Sequence, residues 1–375
     1  MSNMRLMILG TNEYQNPLIV RAKELGYETH VFGLDRGEIG QQTADFFHPV
    51  DILDYNRLWE ECKRLQPVGI ASVCSELAMH PMNYLLRKAG IPCNSPTTET
   101  ITTNKYLMRQ AMKEGGVDSP NFTLVTNGMA FDQIKHDIAE FTFPLIIKPC
   151  DLSSSRGVFK IDTIDNLQEG LEYALRWSKT GEAILEEFID GPEYSGESIA
   201  YQGQFHLLAI TEKSTTGAPH FVETGHRQPA NLSPEMTLKV QETLFNAFKA
   251  LDIQYGAIHP EFRITPDGRI LFMEIATRMG GDCIGTDLVP LSSGYDFLGM
   301  VINICCGKAP DFTKIRTPMQ AENHYIMTRQ DLDNFNNLKK HHPEIIWRHS
   351  VIKPLSDKPI LKSADRAGYY ITIKP

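Results

Sequence analysis

No CxxC spacing occurs anywhere in the 375 residues, and the seven cysteines are an odd number. Cys62, Cys74, Cys93, Cys150, Cys283, Cys305 and Cys306 therefore suggest neither a disulfide framework nor a zinc site. They fit reduced thiols in a cytoplasmic protein. Long apolar runs are missing too. No stretch approaches the roughly 20 residues of a membrane span. The opening MSNMRLMILGTNEYQNP has an apolar run too short for a signal core, and it ends at Gly10. Positive charge is in deficit, with a formal net charge of -9. That argues against nucleic acid or anionic membranes as main partners, while leaving room for a nucleotide in a local basic pocket. There is no GxSxG, HExxH or P-loop, so hydrolase and P-loop kinase chemistry lack support. The turn at Gly10, GTNEYQNP, lacks the second and third glycines of a dinucleotide fingerprint. No internal repeat or low-complexity tract is present.

What is present is an ordinary globular composition, 42% hydrophobic and 22% charged, in a chain long enough for two or three domains. The first third alternates strand and helix signals. Arg5–Leu9, Thr29–Phe32 and Gly69–Val73 read as strands. Leu18–Leu25, Tyr55–Leu65 and Met79–Lys88 read as helices. That order predicts a parallel sheet with covering helices, a Rossmann-like domain over 1–98. A polar junction (NSPTTETITT) leads to a second unit over 99–190, with a helix near Lys105–Gly115 and strands at Phe122–Val125, Phe143–Lys148 and Ala183–Phe188. A third unit over 191–375 begins with hairpins about Gly203 and about Asp267-Gly268. The fold class is thus α/β at the start and α+β with antiparallel sheets after it.

The Asp267-Gly268 hairpin is the most informative segment. A two-residue loop there sets Glu261 directly across from Glu274 on one face of the ladder. A three-residue bulged loop shifts the register by one and separates them. Two carboxylates about 4 Å apart repel by roughly 4 kcal/mol at an effective dielectric near 20, so they need a cation. Lys, Arg or a hard ion such as Mg²⁺ satisfies this. A solvated outer face is the alternative. Arg278 follows at the strand end, before the Met279-Gly280-Gly281-Asp282 loop, where it suits a phosphate or carboxylate. Its other role is a salt bridge to Glu261 or Glu274. Lys148 ends a strand before DLSSSRG (Asp151–Gly157), whose Ser153, Ser154, Ser155 and Gly157 offer hydroxyls and N–H groups to phosphate. Lys105 opens a helix, where lysines are usually solvated. Glu186 and Glu187 point to opposite sheet faces. The inward one, or Glu193, can accept a hydrogen bond from adenine or ribose. Glu223 and His226 lie in PHFVETGHRQPA, where His226 is either a base or a structural hydrogen-bonder.

In order along the chain, NKYLMR, FPLIIKP with its small-residue loop, ILEEFIDGPEY, HPEFR, FMEIATRMGG and ADRAGYYITI resemble the blocks of ATP-grasp enzymes over essentially the whole length. HFVETGH, the Glu-to-Glu hairpin and R-x-x-G together resemble the L-amino-acid (dipeptide) ligases, the carboxylate–amine branch. The resemblance implies a two-lobed ATP-grasp domain behind the Rossmann-like one. It implies an ADP-forming ligase that makes an amide through an acyl phosphate. ATP and Mg²⁺, with Mn²⁺ as an alternative ion, are the implied cofactors. Lys105 and Lys148 then contact ATP phosphates, and Ser153–Ser155 and Gly157 form the phosphate loop. Glu186, Glu187, Phe188, Ile189 and Glu193 hold adenine and ribose. Glu261 and Glu274 ligate the metal, and Arg278 stabilises the oxyanion. Glu223, His226, Arg278, Gly281 and Asp282 face the substrates. Asp282 either attracts an ammonium group or caps the next helix. The implied partners are ATP and a small acid and amine, with a homodimer as the family's common assembly. The rivals are an ATP-grasp carboxylase or purine-pathway ligase using bicarbonate or another acid, and an ATP-binding protein without turnover.

Overall fold

The computed structural model describes residues 4–152, 156–218, 221–356 and 358–374. Three sheets organise them. Strands Arg5–Leu9 (β1), Glu28–Gly33 (β2), Phe46–Pro49 (β3) and Gly69–Ala71 (β4) form a parallel sheet in the order β3-β2-β1-β4. Helices Asn16–Glu24, Tyr55–Leu65 and Glu76–Lys88 connect its strands or follow them. Strand β1 is apolar from Leu6 to Leu9 and fully buried there, as parallel strands covered on both faces are. β3 was not foreseen from the sequence, because Phe46–Pro49 is short and polar-flanked.

Strands Phe122–Thr126 (β5), Leu145–Pro149 (β6), Phe159–Ile161 (β7) and Glu182–Glu187 (β8) form an antiparallel sheet in the order β5-β8-β6-β7. The remaining eight are Glu193–Tyr201 (β9), Gln204–Thr215 (β10), Glu223–Gln228 (β11), Tyr255–Ile264 (β12), Ile270–Ala276 (β13), Gln320–Ile326 (β14), Ile346–His349 (β15) and Gly368–Lys374 (β16). They pair antiparallel in the order β13-β12-β9-β10-β11-β14-β16-β15. The α/β start and antiparallel continuation agree with the expected class.

The polar NSPTTETITT segment is not a loop. Ser95 caps a helix, Pro96–Thr103, by accepting from Thr98 N. Proline early in a helix and a serine before it are start signals that the polar composition masked. Asn104 then caps Lys105–Glu114 by accepting from Tyr106 N and Leu107 N. Among the described residues no helix is long and apolar enough to cross a membrane. All seven cysteines are free.

Candidate active site

The β12–β13 hairpin brings Glu261 opposite Glu274, but by a different route from the two-residue turn. Gly268 N donates to Thr265 O and Thr265 N to Arg269 O, so the loop has three residues, Pro266, Asp267 and Gly268. Gly268 takes φ +79°. This left-handed glycine is the usual closure of a three-residue hairpin. The shift it causes is undone by a bulge between Glu261 and Phe262, where Phe262 pairs with Phe272. Met273 is the extra residue, and the two carboxylates meet again across the ladder.

Neither carboxylate is left unneutralised, and Arg278 is not what neutralises them. Lys105 Nζ lies 3.0 Å from Glu274 Oε2 and donates to Leu152 O at 2.7 Å. Lys213 Nζ lies 2.6 Å from Glu261, 2.7 Å from Glu223 and 3.3 Å from Glu193. Burial alone would raise the Glu261 carboxyl, but the Lys213 ammonium and the His259 ring hold it well below the usual range. Glu274 goes the other way. Burial lifts it, and Glu76 and Glu261 add to this against the pull of Lys105. Glu76 opens the Glu76–Lys88 helix and lies close enough to raise the Glu274 carboxyl, so the first sheet's helix does reach this site.

Arg278 Nη1 donates to Met279 O at 3.1 Å, and its buried Nε has no partner among the described residues. Glu76, Glu274 and Glu261 all lie close enough to favour its charge. Arg278 also lines a cavity of about 30 Å³ walled by Met79, Met82, Val301 and Ile304. The Gly280 and Gly281 pair divides its duties. A Cβ on Gly280 would meet His259 Nδ1 at 2.7 Å and Glu197 Oε2 at 2.9 Å, whereas Gly281 faces open space.

Asp282 neither caps the next helix nor stands alone. The following helical turn begins after Cys283, which caps with no side chain, and Asp282 Oδ2 instead accepts from Arg366 Nη1 at 2.7 Å. Arg366 also reaches Glu223 at 3.3 Å and lies 3.6 Å from the Tyr325 ring centroid. His226 is buried with Nε2 3.3 Å from Glu223 Oε2, and neither ring nitrogen has a hydrogen bond of good geometry among the described residues. The Glu223 carboxyl sits well below its usual range, because Lys213 and His226 outweigh its burial.

Glu186 and Glu187 both make contacts within the protein. Glu186 does point inward and is 1% exposed. Its Oε2 accepts from Arg109 Nε and Nη2 at 3.0 and 2.7 Å, and its Oε1 pairs with Lys148 at 2.6 Å. Each Glu186 oxygen thus has a cationic partner. Glu187 accepts from Asn121 N and Thr142 N and ties two loops together on the other face. Phe188 N donates to Pro144 O, and the Ile189 carbonyl accepts from Arg263. Glu193 pairs with Lys213 and Arg263 at 3.3 Å each. Lys148 also donates to Met273 O at 3.2 Å, which links the second sheet to the bulged residue. Gly157 has φ +75°, and a Cβ there would strike Pro149. Ser153, Ser154 and Ser155 lie outside the described residues.

Among the described residues no three His, Cys, Asp or Glu side chains are arranged to hold a metal. A paired Glu261 and Glu274 still fit Mg²⁺, which takes one or two carboxylates and completes its shell with phosphate oxygens and water. Both donors to Glu261, Lys213 and His259, meet Oε1 and leave Oε2 without a donor among the described residues.

Lys213, Arg366, Glu197 and His259 were not singled out from the sequence. His259 Nδ1 lies 2.7 Å from Glu197 Oε1 and its Nε2 3.3 Å from Glu261 Oε1. Burial would lower its pKa, yet the Glu197 carboxylate raises it to about 9.

Residues 141–287 match the family model of the ATP-grasp domain. An uncharacterised protein, y4rH, of Sinorhizobium fredii is 26% identical over 87% of this chain and 69% of its own length. A formate-dependent phosphoribosylglycinamide formyltransferase of Prochlorococcus marinus is 29% identical over 60% of this chain and 55% of its own. The alanine–anticapsin ligase of Bacillus subtilis is 27% identical over 72% and 63%. Among solved structures, an L-amino acid ligase from Bacillus licheniformis superposes with a TM-score of 0.82 at 21% identity, covering 99% of this chain and 93% of that one. At that identity the likeness is one of fold.

Proposed function

From the premise that this chain is an ATP-grasp enzyme, we propose that it joins a carboxylate, an amino acid in the first instance, to an amine with conversion of ATP to ADP and phosphate. The observation that carries the reading is the Glu261–Glu274 pair, with Lys105 on one carboxylate, Lys213 on the other and Arg278 one turn of chain beyond.

In this proposal Lys105 and Lys148 bind phosphate oxygens. Glu261 and Glu274 would hold Mg²⁺, which supplies screening of phosphate charge. The acid's carboxylate oxygen attacks the γ-phosphorus and ADP leaves. Arg278 holds the acyl phosphate's oxygens bidentately, a geometry lysine cannot reproduce. The amine then attacks the acyl carbon, the bond to the phosphate oxygen breaks, and phosphate departs. In the same proposal Glu223, His226 and Asp282 take the amine, with Lys213 and Arg366 balancing the two carboxylates. Catalysis on this scheme is positioning plus fixed charge. The free thiols fit a cytoplasmic enzyme, and a homodimer belongs to the same proposal.

A second reading has formate or bicarbonate as the acid. It is favoured by the formate-dependent relatives. Phosphate release from Mg·ATP should be measured with the twenty L-amino acids, singly and in pairs, and with formate and bicarbonate arms. Release that requires an amino acid or a pair supports the ligase. Release only with formate or bicarbonate moves the enzyme to the second reading. No release in any arm counts against both.

A further inference from the structure

Glu261 is held from behind by a buried acid–imidazole couple that the proposed reaction does not use. In the β9–β12 pairing Ile258 faces Ser198 and Glu261 faces Ser195, which puts Glu197 across from His259. Glu197 is 0% exposed and His259 4%. Ser195 Oγ donates to Glu197 Oε1 at 3.0 Å, the same oxygen that lies 2.7 Å from His259 Nδ1. The other ring nitrogen, Nε2, is 3.3 Å from Glu261 Oε1. Both ring nitrogens are thus taken by carboxylates, and the ring plane is fixed by its ends. The couple also abuts the Arg278 loop, since a Cβ on Gly280 would overlap His259 Nδ1 and Glu197 Oε2.

We propose that Glu197 and His259 are positioning residues. They fix one oxygen of Glu261 so that its other oxygen is presented to the metal of Mg·ATP, and they seat the loop that carries Arg278. The proposal rests on the reading of Glu261 as a metal ligand. A buried pair with only a packing role has no reason to end on the one carboxylate that faces Glu274. Partners behind a metal ligand commonly set affinity by about 10–100-fold.

The test is Mn²⁺ binding followed by electron paramagnetic resonance, on the full chain with ADP present and no turnover required. His259→Asn keeps a donor toward Glu197 and loses the one toward Glu261. His259→Gln does the reverse. Glu261→Gln serves as control, and thermal melting verifies that each variant is folded. His259→Asn should weaken Mn²⁺ at least tenfold, with metal-free ADP affinity unchanged and His259→Gln nearer the parent. Unchanged Mn²⁺ affinity in folded His259→Asn, with loss in Glu261→Gln, overturns the positioning role. Unchanged affinity in Glu261→Gln overturns the metal-ligand reading beneath it.

Discussion

Arg109, Glu186 and Lys148 form one buried charge cluster. Lys105, Lys213, Glu261 and Glu274 form another, with the Arg109 to Phe272 and Lys148 to Met273 bonds between them. Each sets basic side chains against glutamates on strands. In the first, both Glu186 oxygens have partners, and Arg109 Nη1 also donates to Phe272 O at 2.7 Å. In the second, Glu261 and Glu274 are pushed to opposite sides of the usual carboxylate range, and Arg278 nearby has an Nε without a partner among the described residues. The Arg109–Glu186 pair holds the fold, Lys148 at its edge keeps the phosphate role proposed for it, and the cluster whose carboxylates are displaced in opposite directions is the candidate for a charged substrate.

Four variants or conditions would break or sharpen that contrast. Glu274→Gln, in the second cluster, should lower kcat by about 10²–10³-fold or more, the scale of losing one fixed charge at a transition state. Its melting temperature should stay that of the parent. Arg109→Met, in the first cluster, should do the reverse. It strands Glu186 without its strongest partner and should lose about 3–5 kcal/mol of stability in urea unfolding.

Acid gives a smaller effect with a definite sign. Burial would raise Glu186, but Arg109 and Lys148 hold it below its ordinary 4.5. Its contribution to stability is therefore present above about pH 4.5 and lost as pH falls through the lowered value. Unfolding free energy should decline on that limb, and Glu186→Gln should flatten it. The exposed Arg269–Asp118 pair, at 2.7 Å, is a surface contact by comparison. Arg269→Ala should change stability by less than about 1 kcal/mol.

Much of this was legible in the sequence, and the exceptions share a cause. The parallel first sheet followed from the order of apolar runs. The Glu261–Glu274 pairing also came out, though the three-residue loop and the bulge at Met273 are two departures that cancel. Lys213 was missed because of another bulge. Tyr201 pairs with Gln204, but Leu207 pairs with Ser198 and Ala209 with Glu197, so Leu208 is extra. Only past that bulge does Lys213 face Glu193. Bulges depend on the twist and neighbours of a whole sheet, and local residue patterns do not mark them. Glu186 shows a different limit. Strand alternation turned it inward, but its partner Arg109 sits on a helix 77 residues away. Arg366 likewise arrives from the far end of the chain. No spacing rule reaches that far.

The most direct test of the chemistry uses the acid that supports phosphate release, labelled with ¹⁸O in its carboxylate. The released phosphate is then examined by ³¹P NMR for the isotope shift. An acyl phosphate leaves one carboxylate oxygen on phosphorus, so the account predicts one ¹⁸O per phosphate for a fully labelled acid. Phosphate free of label, from a reaction that still forms the amide, would contradict it.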